Sequence, residues 1–239
     1  MNTINNSKIR NNYKLVLFDI DGTLIKGGDD TGRRSFVVAI EKVFGHQVVI
    51  DWQKHDGSTE RKIATDLLKQ KGVSSKDILL KIDQLMRARA DWFAKNVSSD
   101  YKNQLISDAV VLINKLKEKN IFFGLLTGNS RQASFIKLKL VGIDKFFDFG
   151  LFGEMAEDRN KLAKLVFAKA KDYFEISFLK KNIFVIGDTI HDIICGQKAG
   201  VKTIGVTTGF FSQDDLAKAK PDLLTASLAD KKVLDFILS

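Results

Sequence analysis

The chain has 239 residues, of which 44% are hydrophobic and 28% charged, with a formal charge of +9 and one cysteine. It is long enough to bury a substantial core in one domain, or in one domain plus an insertion. One cysteine excludes an intrachain disulfide, and no apolar run approaches membrane-spanning length. The polar start, 1–12, lacks the apolar core of a signal peptide, which together with the cysteine usage predicts a cytoplasmic protein. The lysines are spread over many predicted helices rather than gathered in one basic run, so no nucleic-acid or membrane partner is expected. A basic surface can still favour an anionic substrate.

The first predicted strand, 14–18, is an unbroken apolar run that suits a parallel strand buried on both faces. It ends in Asp19-Ile20-Asp21-Gly22-Thr23. Residues i and i+2 of a strand share a side, so Asp19 and Asp21 can address one bound group at the carboxyl end, where open α/β sheets bind ligands. Two carboxylates this close call for a cation or proton between them, which suits a divalent ion and a phosphoryl group. An ordinary Asp-Gly turn reads the same way locally.

A glycine-rich stretch, 26–32, reads as a flap or hinge. Helical patterns follow over 33–44, 59–70 and 76–96, with no strand signal between them, then a helix over 107–119. Strand 121–126 leads into Thr127-Gly128-Asn129-Ser130 and a helix over 131–140. A hydroxyl and free N–H groups at a helix start can hold an anion or simply cap the helix. Strand 147–151 comes next. Asp158-Arg159 then opens an amphipathic helix; Arg159, with Lys161 as runner-up, could offset the charge of carboxylates and phosphate.

Strand 183–186 ends in Gly187-Asp188, and Asp192 follows four residues later, on the same side if a helical turn intervenes. Such acidic oxygens suit Mg²⁺, although an N-cap aspartate and a solvated one give the same spelling. Strand 202–206 and the tail 221–224, followed by a short helix, close the core. Alternating strands and helices predict a doubly wound parallel sheet. Cys195, among Ile193, Ile194 and Gly196, reads as a packed side chain.

The order strand-DxDGT, strand-TGN, a basic residue opening a helix, and strand-GDxxxD resembles the haloacid dehalogenase-like hydrolase superfamily, in its phosphoglycolate phosphatase-like branch. The resemblance runs from about Tyr13 to the last helix. It implies a Rossmann-like α/β core, 1–25 and 105–239, with an inserted α-helical cap of the C1 type, 26–104. It further implies Asp19 as nucleophile, forming an aspartyl-phosphate, and Asp21 as general acid and base. Mg²⁺ is expected on Asp19, the backbone carbonyl of Asp21, and Asp188, with Asp192 fixing the metal and its waters. Thr127, Gly128 and Asn129 are the expected phosphoryl cradle, and Arg159 matches a basic position more often filled by lysine.

Asp21 sets the chain apart from the family's dehalogenases and phosphonate lyases. The implied activity is a Mg²⁺-dependent phosphatase acting on a small phosphate ester: phosphoglycolate-like, a sugar phosphate or a nucleotide monophosphate. A sugar phosphomutase of the beta-phosphoglucomutase type and a catalytically idle binding module are the alternatives. A monomer or homodimer is expected. The loop Lys54-His55-Asp56-Gly57-Ser58-Thr59-Glu60-Arg61 resembles the family's G-x-T-D stretch. Thr59, Glu60 and Arg61 are therefore expected to face Asp19, although Gly-Ser-Thr-Glu also reads as a turn and a capped helix. His55 reads as a surface residue and Trp52 as cap packing.

Overall fold

Leu15, Val16, Leu17 and Phe18 form β1 (Leu15–Phe18), all four fully buried. Their side chains divide between two cores: Val16 and Phe18 enter the apolar cluster on one face of the sheet, Leu15 and Leu17 the cluster on the other. This is the period-2 alternation of a strand covered on both faces. Each such side chain contributes roughly 1.5–3 kcal/mol through burial. The computed structural model describes residues 12–28, 30–55 and 57–239; the polar start 1–11, Asp29 of the flap and Asp56 of the cap loop lie outside them.

Around β1 stand β2 (Phe122–Leu126), β3 (Gly150–Leu151), β4 (Ile183–Gly187), β5 (Lys202–Val206) and β6 (Leu223–Thr225). The described residues make one six-stranded, parallel sheet in the order β3-β2-β1-β4-β5-β6. The chain runs outward from β1 to β3 and then returns to β4 on β1's other side. The carboxyl ends of β1, β2 and β4 thus meet where the winding reverses, the ligand-binding crevice of such sheets.

The helices are α1 (Asp30–Phe44), α2 (Glu60–Gln70), α3 (Ser75–Asn96), α4 (Ser107–Glu118), α5 (Arg131–Leu140), α6 (Arg159–Lys164), α7 (Val166–Phe174), α8 (Ile190–Ala199), α9 (Gln213–Lys218) and α10 (Lys231–Leu238). The first three have their own core of Phe36, Ile40, Ile63, Leu67, Ile78, Leu85 and neighbours. The end of α3 leaves it: Phe93, with Tyr101 beyond, packs into the sheet's core and ties the helical layer to the sheet.

Three sequence readings change. The strand expected over 147–151 is only Gly150–Leu151, after a 3₁₀ turn at Asp144–Phe146. Phe147 and Phe149 are buried in opposite clusters, so packing rather than strand pairing accounts for their apolar signal. The tail expected merely to close the core supplies β6, a strand too short to show periodicity. The amphipathic helix beginning at Arg159 breaks in two at Leu165.

Candidate active site

Asp19 follows β1 directly and its N–H donates to the Ile186 carbonyl of β4 at 2.9 Å, which continues the ladder by one residue. The chain then turns sharply. Gly22, at φ +83°, makes that turn possible, and a Cβ there would fall 2.2 Å from the Asp188 carboxylate. So the Gly of DGT serves both the left-handed backbone and the close approach of a second acid.

Asp19, Asp188 and Asp192 form a buried group whose carboxylate oxygens lie within 4.8 Å of one another. Burial, and then repulsion from Asp192 and Asp19, holds Asp188 well above the ordinary carboxylate range. Burial likewise pushes Asp19 up to about 7, against the pull of Arg159 and with Asp192 and Asp21 adding to the rise. The protein alone therefore undercompensates the negative charge here, which is the state a bound divalent cation relieves. Hard carboxylate oxygens are also the ligands Mg²⁺ takes.

Asp192 is already heavily committed. One oxygen accepts from the Thr189 N–H at 3.0 Å and its hydroxyl at 2.6 Å, closing a capping box on α8, and the other meets Arg159. The spelling GDxxxD thus encodes both a helix start and an acidic pair.

Arg159, the first residue of α6, is 7% exposed. One terminal nitrogen contacts Asp19 Oδ1 at 2.9 Å and also Asp192; the other donates to the Gly57 carbonyl, in the loop before α2, at 3.2 Å. Burial opposes its charge, but Asp192 and Asp19 outweigh that and raise its pKa further. Lys161 is exposed, so of the two candidate cations Arg159 is the one at Asp19. The planar guanidinium fork lets two nitrogens reach the acidic pair and the loop before α2 at the same time.

Asp21 faces a different environment from Asp19. Its Oδ2 accepts from Asn129 Nδ2 at 2.8 Å, and both its oxygens contact Lys137 Nζ, at 2.8 and 2.6 Å. Burial alone would push Asp21 up; Lys137, with Asn129 and Arg89, reverses this and holds it below the ordinary carboxylate range. Two aspartates two residues apart are thus driven in opposite directions: burial and the other acids make Asp19 hold its proton more tightly, and Asp21 is kept ionised by Lys137.

At the end of β2, Thr127 Oγ1 accepts from Asn129 N–H at 3.3 Å and Asn129 Nδ2 at 3.0 Å, which leaves its own proton to donate. The turn is held from outside by Gly153 N–H, which donates to the Asn129 carbonyl at 2.7 Å, and by Glu60 N–H, which donates to the Gly128 carbonyl at 2.8 Å.

A cavity of about 630 Å³ is lined by Asp19, Asp21, Thr127, Gly128, Asn129, Arg159 and Asp188 from the sheet side. Glu60, Arg89, Phe36, Trp52 and His55 face it from the helical layer, and Phe210, 87% exposed, stands on its wall. Glu60 is 3% exposed and ion-paired with Arg89 of α3, whose guanidinium lies 4.0 Å from the Phe36 ring centroid.

Thr59 and Arg61, expected at the substrate, do not line this cavity. Thr59 caps α2 and donates to the Glu157 carbonyl at 2.9 Å; Arg61 donates to the Glu154 carbonyl at 3.2 Å. Both serve the seam between the helical layer and the sheet. His55 is buried rather than on the surface, and Trp52 lines the cavity as well as packing on Phe36. Cys195 is buried, and burial pushes its thiol up to about 12, which fits a packed side chain. Lys137 and Arg89 were missed. Arg89 sits inside α3 and Lys137 in the last turn of α5, where a solvated cation is equally at home, so only position on the helix face distinguishes them.

The family model for haloacid dehalogenase-like hydrolases matches residues 16–206. A pyrophosphatase, PpaX, of Bacillus thuringiensis (strain Al Hakam) is 25% identical over 225 residues, covering 90% of this chain and 93% of that relative. Among solved structures, a hydrolase from Pseudomonas syringae has a TM-score of 0.68 at 19% identity, covering 95% of this chain and 100% of that one. A predicted phosphoglycolate phosphatase from Haemophilus somnus 129pt has a TM-score of 0.63 at 21% identity, covering 94% and 98% respectively. These structures share the fold.

Proposed function

The chain belongs to the haloacid dehalogenase-like hydrolases, and from that premise we propose that it is a Mg²⁺-dependent phosphatase cleaving a small phosphate ester or anhydride. The observation that carries this reading is the opposed setting of Asp19 and Asp21: one in an acidic cluster with a single cation, the other held by Lys137 and Asn129 at the same cavity. One relative is a pyrophosphatase and one structural neighbour a predicted phosphoglycolate phosphatase, which supports a compact, highly charged substrate.

In this reading residues 26–104 are a cap domain over the 1–25 and 105–239 core. Asp19, which a bound cation would keep ionised, attacks phosphorus in line, and the P–O bond to the leaving group breaks as the Asp19–P bond forms. The leaving oxygen takes the proton that Asp21 acquires from solvent when the anionic substrate binds beside it and raises its pKa. Asp21 then accepts a proton from water, which attacks the aspartyl-phosphate and frees Asp19 and phosphate. Thr127 and the backbone of Gly128 and Asn129 hold the phosphoryl oxygens, and Arg159 keeps Asp19 oriented while offsetting charge. Asp19, Asp188 and the Asp21 carbonyl would hold Mg²⁺, with Asp192 supporting; bound there, the ion would neutralise charge on the transferring group. Glu60 contributes by placing Arg89 on the cavity wall.

The test is hydrolysis of para-nitrophenyl phosphate, pyrophosphate and phosphoglycolate by the purified protein, with Mg²⁺ or EDTA, beside Asp19→Asn. Release that requires Mg²⁺ and falls by about 10⁴-fold or more in the variant is the expected result. Turnover retained in Asp19→Asn would remove Asp19 as nucleophile.

A further inference from the structure

Lys137 belongs to none of the sequence motifs, yet its ammonium reaches the middle of the site. Nζ lies 2.8 Å from Asp21 Oδ1, 2.6 Å from Asp21 Oδ2 and 2.9 Å from Asn129 Oδ1. An ammonium has three protons, and these three oxygens account for them, so Lys137 has no donor left for a substrate.

The residue is 6% exposed, and the ring of Phe93 on α3 lies 6.0 Å from Nζ. A lysine buried this far is costly unless fully paired, so packing alone would favour an apolar side chain at this position. Asp21, by contrast, keeps 39% of its side chain exposed, and it lines the cavity. Lys137 therefore grips the carboxylate and leaves its open part to the cavity.

Asn129 completes the arrangement. Its amide nitrogen donates both to Asp21 Oδ2 and to Thr127 Oγ1, at 2.8 and 3.0 Å, while its oxygen accepts from Lys137. Asp21 and Thr127 are thereby joined through Asn129, which Lys137 also holds. Lys137 and Asn129 donate to the Asp21 carboxylate and so fix its plane.

We propose that Lys137 is a positioning residue for Asp21, fixing the direction from which that carboxyl meets the substrate's bridging oxygen relative to the cradle at Thr127. The inference rests on the phosphatase reading, in which Asp21 passes its proton to the leaving oxygen. Small misplacements of such a group cost large factors in rate, and most where the leaving group depends on the proton.

The test measures kcat and KM over a series of aryl phosphates of decreasing leaving-group ability plus one alkyl phosphate. The proteins are the unmodified chain, Lys137→Met, Asp21→Asn and the double variant. In Lys137→Met, kcat should fall about 3-fold for para-nitrophenyl phosphate and about 10²-fold for the alkyl ester, with KM changing less than about 2-fold. On the Asp21→Asn background the same substitution should cost nothing further, since its target is gone. A loss equal across the series, or a full additional loss on Asp21→Asn, would make Lys137 a structural residue and overturn the proposal.

If Lys137→Met does not fold, Lys137→Gln, which retains an amide donor, carries the same comparison. Its leaving-group dependence should lie between those of the unmodified chain and Asp21→Asn. Absence of hydrolysis by the unmodified chain on every ester sinks the phosphatase reading and this proposal with it. Hydrolysis by the unmodified chain with a uniform loss in the variant sinks the proposal alone.

Discussion

Asp19 and Asp21 are chemically identical and two residues apart, and their neighbours set them in opposite directions. Asp19 is pushed up to about 7 by burial and by the other acids, whereas Lys137 overcomes burial at Asp21 and holds it low. The first shift has a consequence for stability. Between the usual carboxylate value of 3.8 and about 7, the unfolded chain has released the proton of this group while the folded chain retains it. The folded state thus loses stability as pH rises through that window, and Asp188, also raised, adds to the loss. A cation on these acids removes the penalty. Mg²⁺ should therefore raise the Tm more at pH 8 than at pH 5, as read by calorimetry; equal shifts at both pH values would count against Asp19 and Asp188 as its ligands. These two acids were legible in the sequence because a strand end leaves few places for a carboxylate to go. Lys137 was not, because its partner is 116 residues away and becomes a neighbour only through the sheet.

Among elements, the short connections matter most. The turn after β2 carries no reactive acid, but it is braced on two sides: Gly153, just after β3, donates to the Asn129 carbonyl, and Glu60, opening α2, donates to the Gly128 carbonyl. A Cβ at Gly153 would fall 1.9 Å from the Gly128 oxygen, with backbone rather than a flexible side chain in the way. Gly153→Ala should displace the cradle, raising KM for every phosphate ester by about 10-fold or more while the variant stays folded. Steady-state kinetics beside a thermal melt decide it; an unchanged KM would show that the turn does not need this brace. The Gly-Ser-Thr-Glu stretch was legible as a helix start, and it is one. Its division of labour was not. Thr59 and Arg61 go to the seam, and Glu60 turns inward to a buried partner on α3, because α2 presents successive residues in different directions.

For the whole molecule, the helical layer and the sheet enclose the cavity between them, and both contribute charge to it. Lys26, Arg33, Arg89, Lys137 and Arg159 line it together with Asp19, Asp21, Glu60 and Asp188, inside a chain of formal charge +9. A basic surface around an anion-binding cleft raises the local concentration of anionic substrate, and salt screens that attraction. KM should rise with ionic strength, and more steeply for pyrophosphate than for para-nitrophenyl phosphate. Equal salt dependence would mean the surface charge does not guide substrate. No helix among the described residues is long and apolar enough to cross a membrane.

The sequence by itself determined the central strands, the parallel α/β order, the helical insertion and the residues at the strand ends. Those features follow from apolar runs, from turn chemistry and from the limited choice of exits at a strand's carboxyl end. Only the tertiary structure decided that Arg159 rather than Lys161 meets Asp19, that Glu60 pairs with Arg89, and that Lys137 holds Asp21. Each is a long side chain on a helix, whose partner depends on how helices pack against a sheet, a relation that no local pattern along the chain encodes.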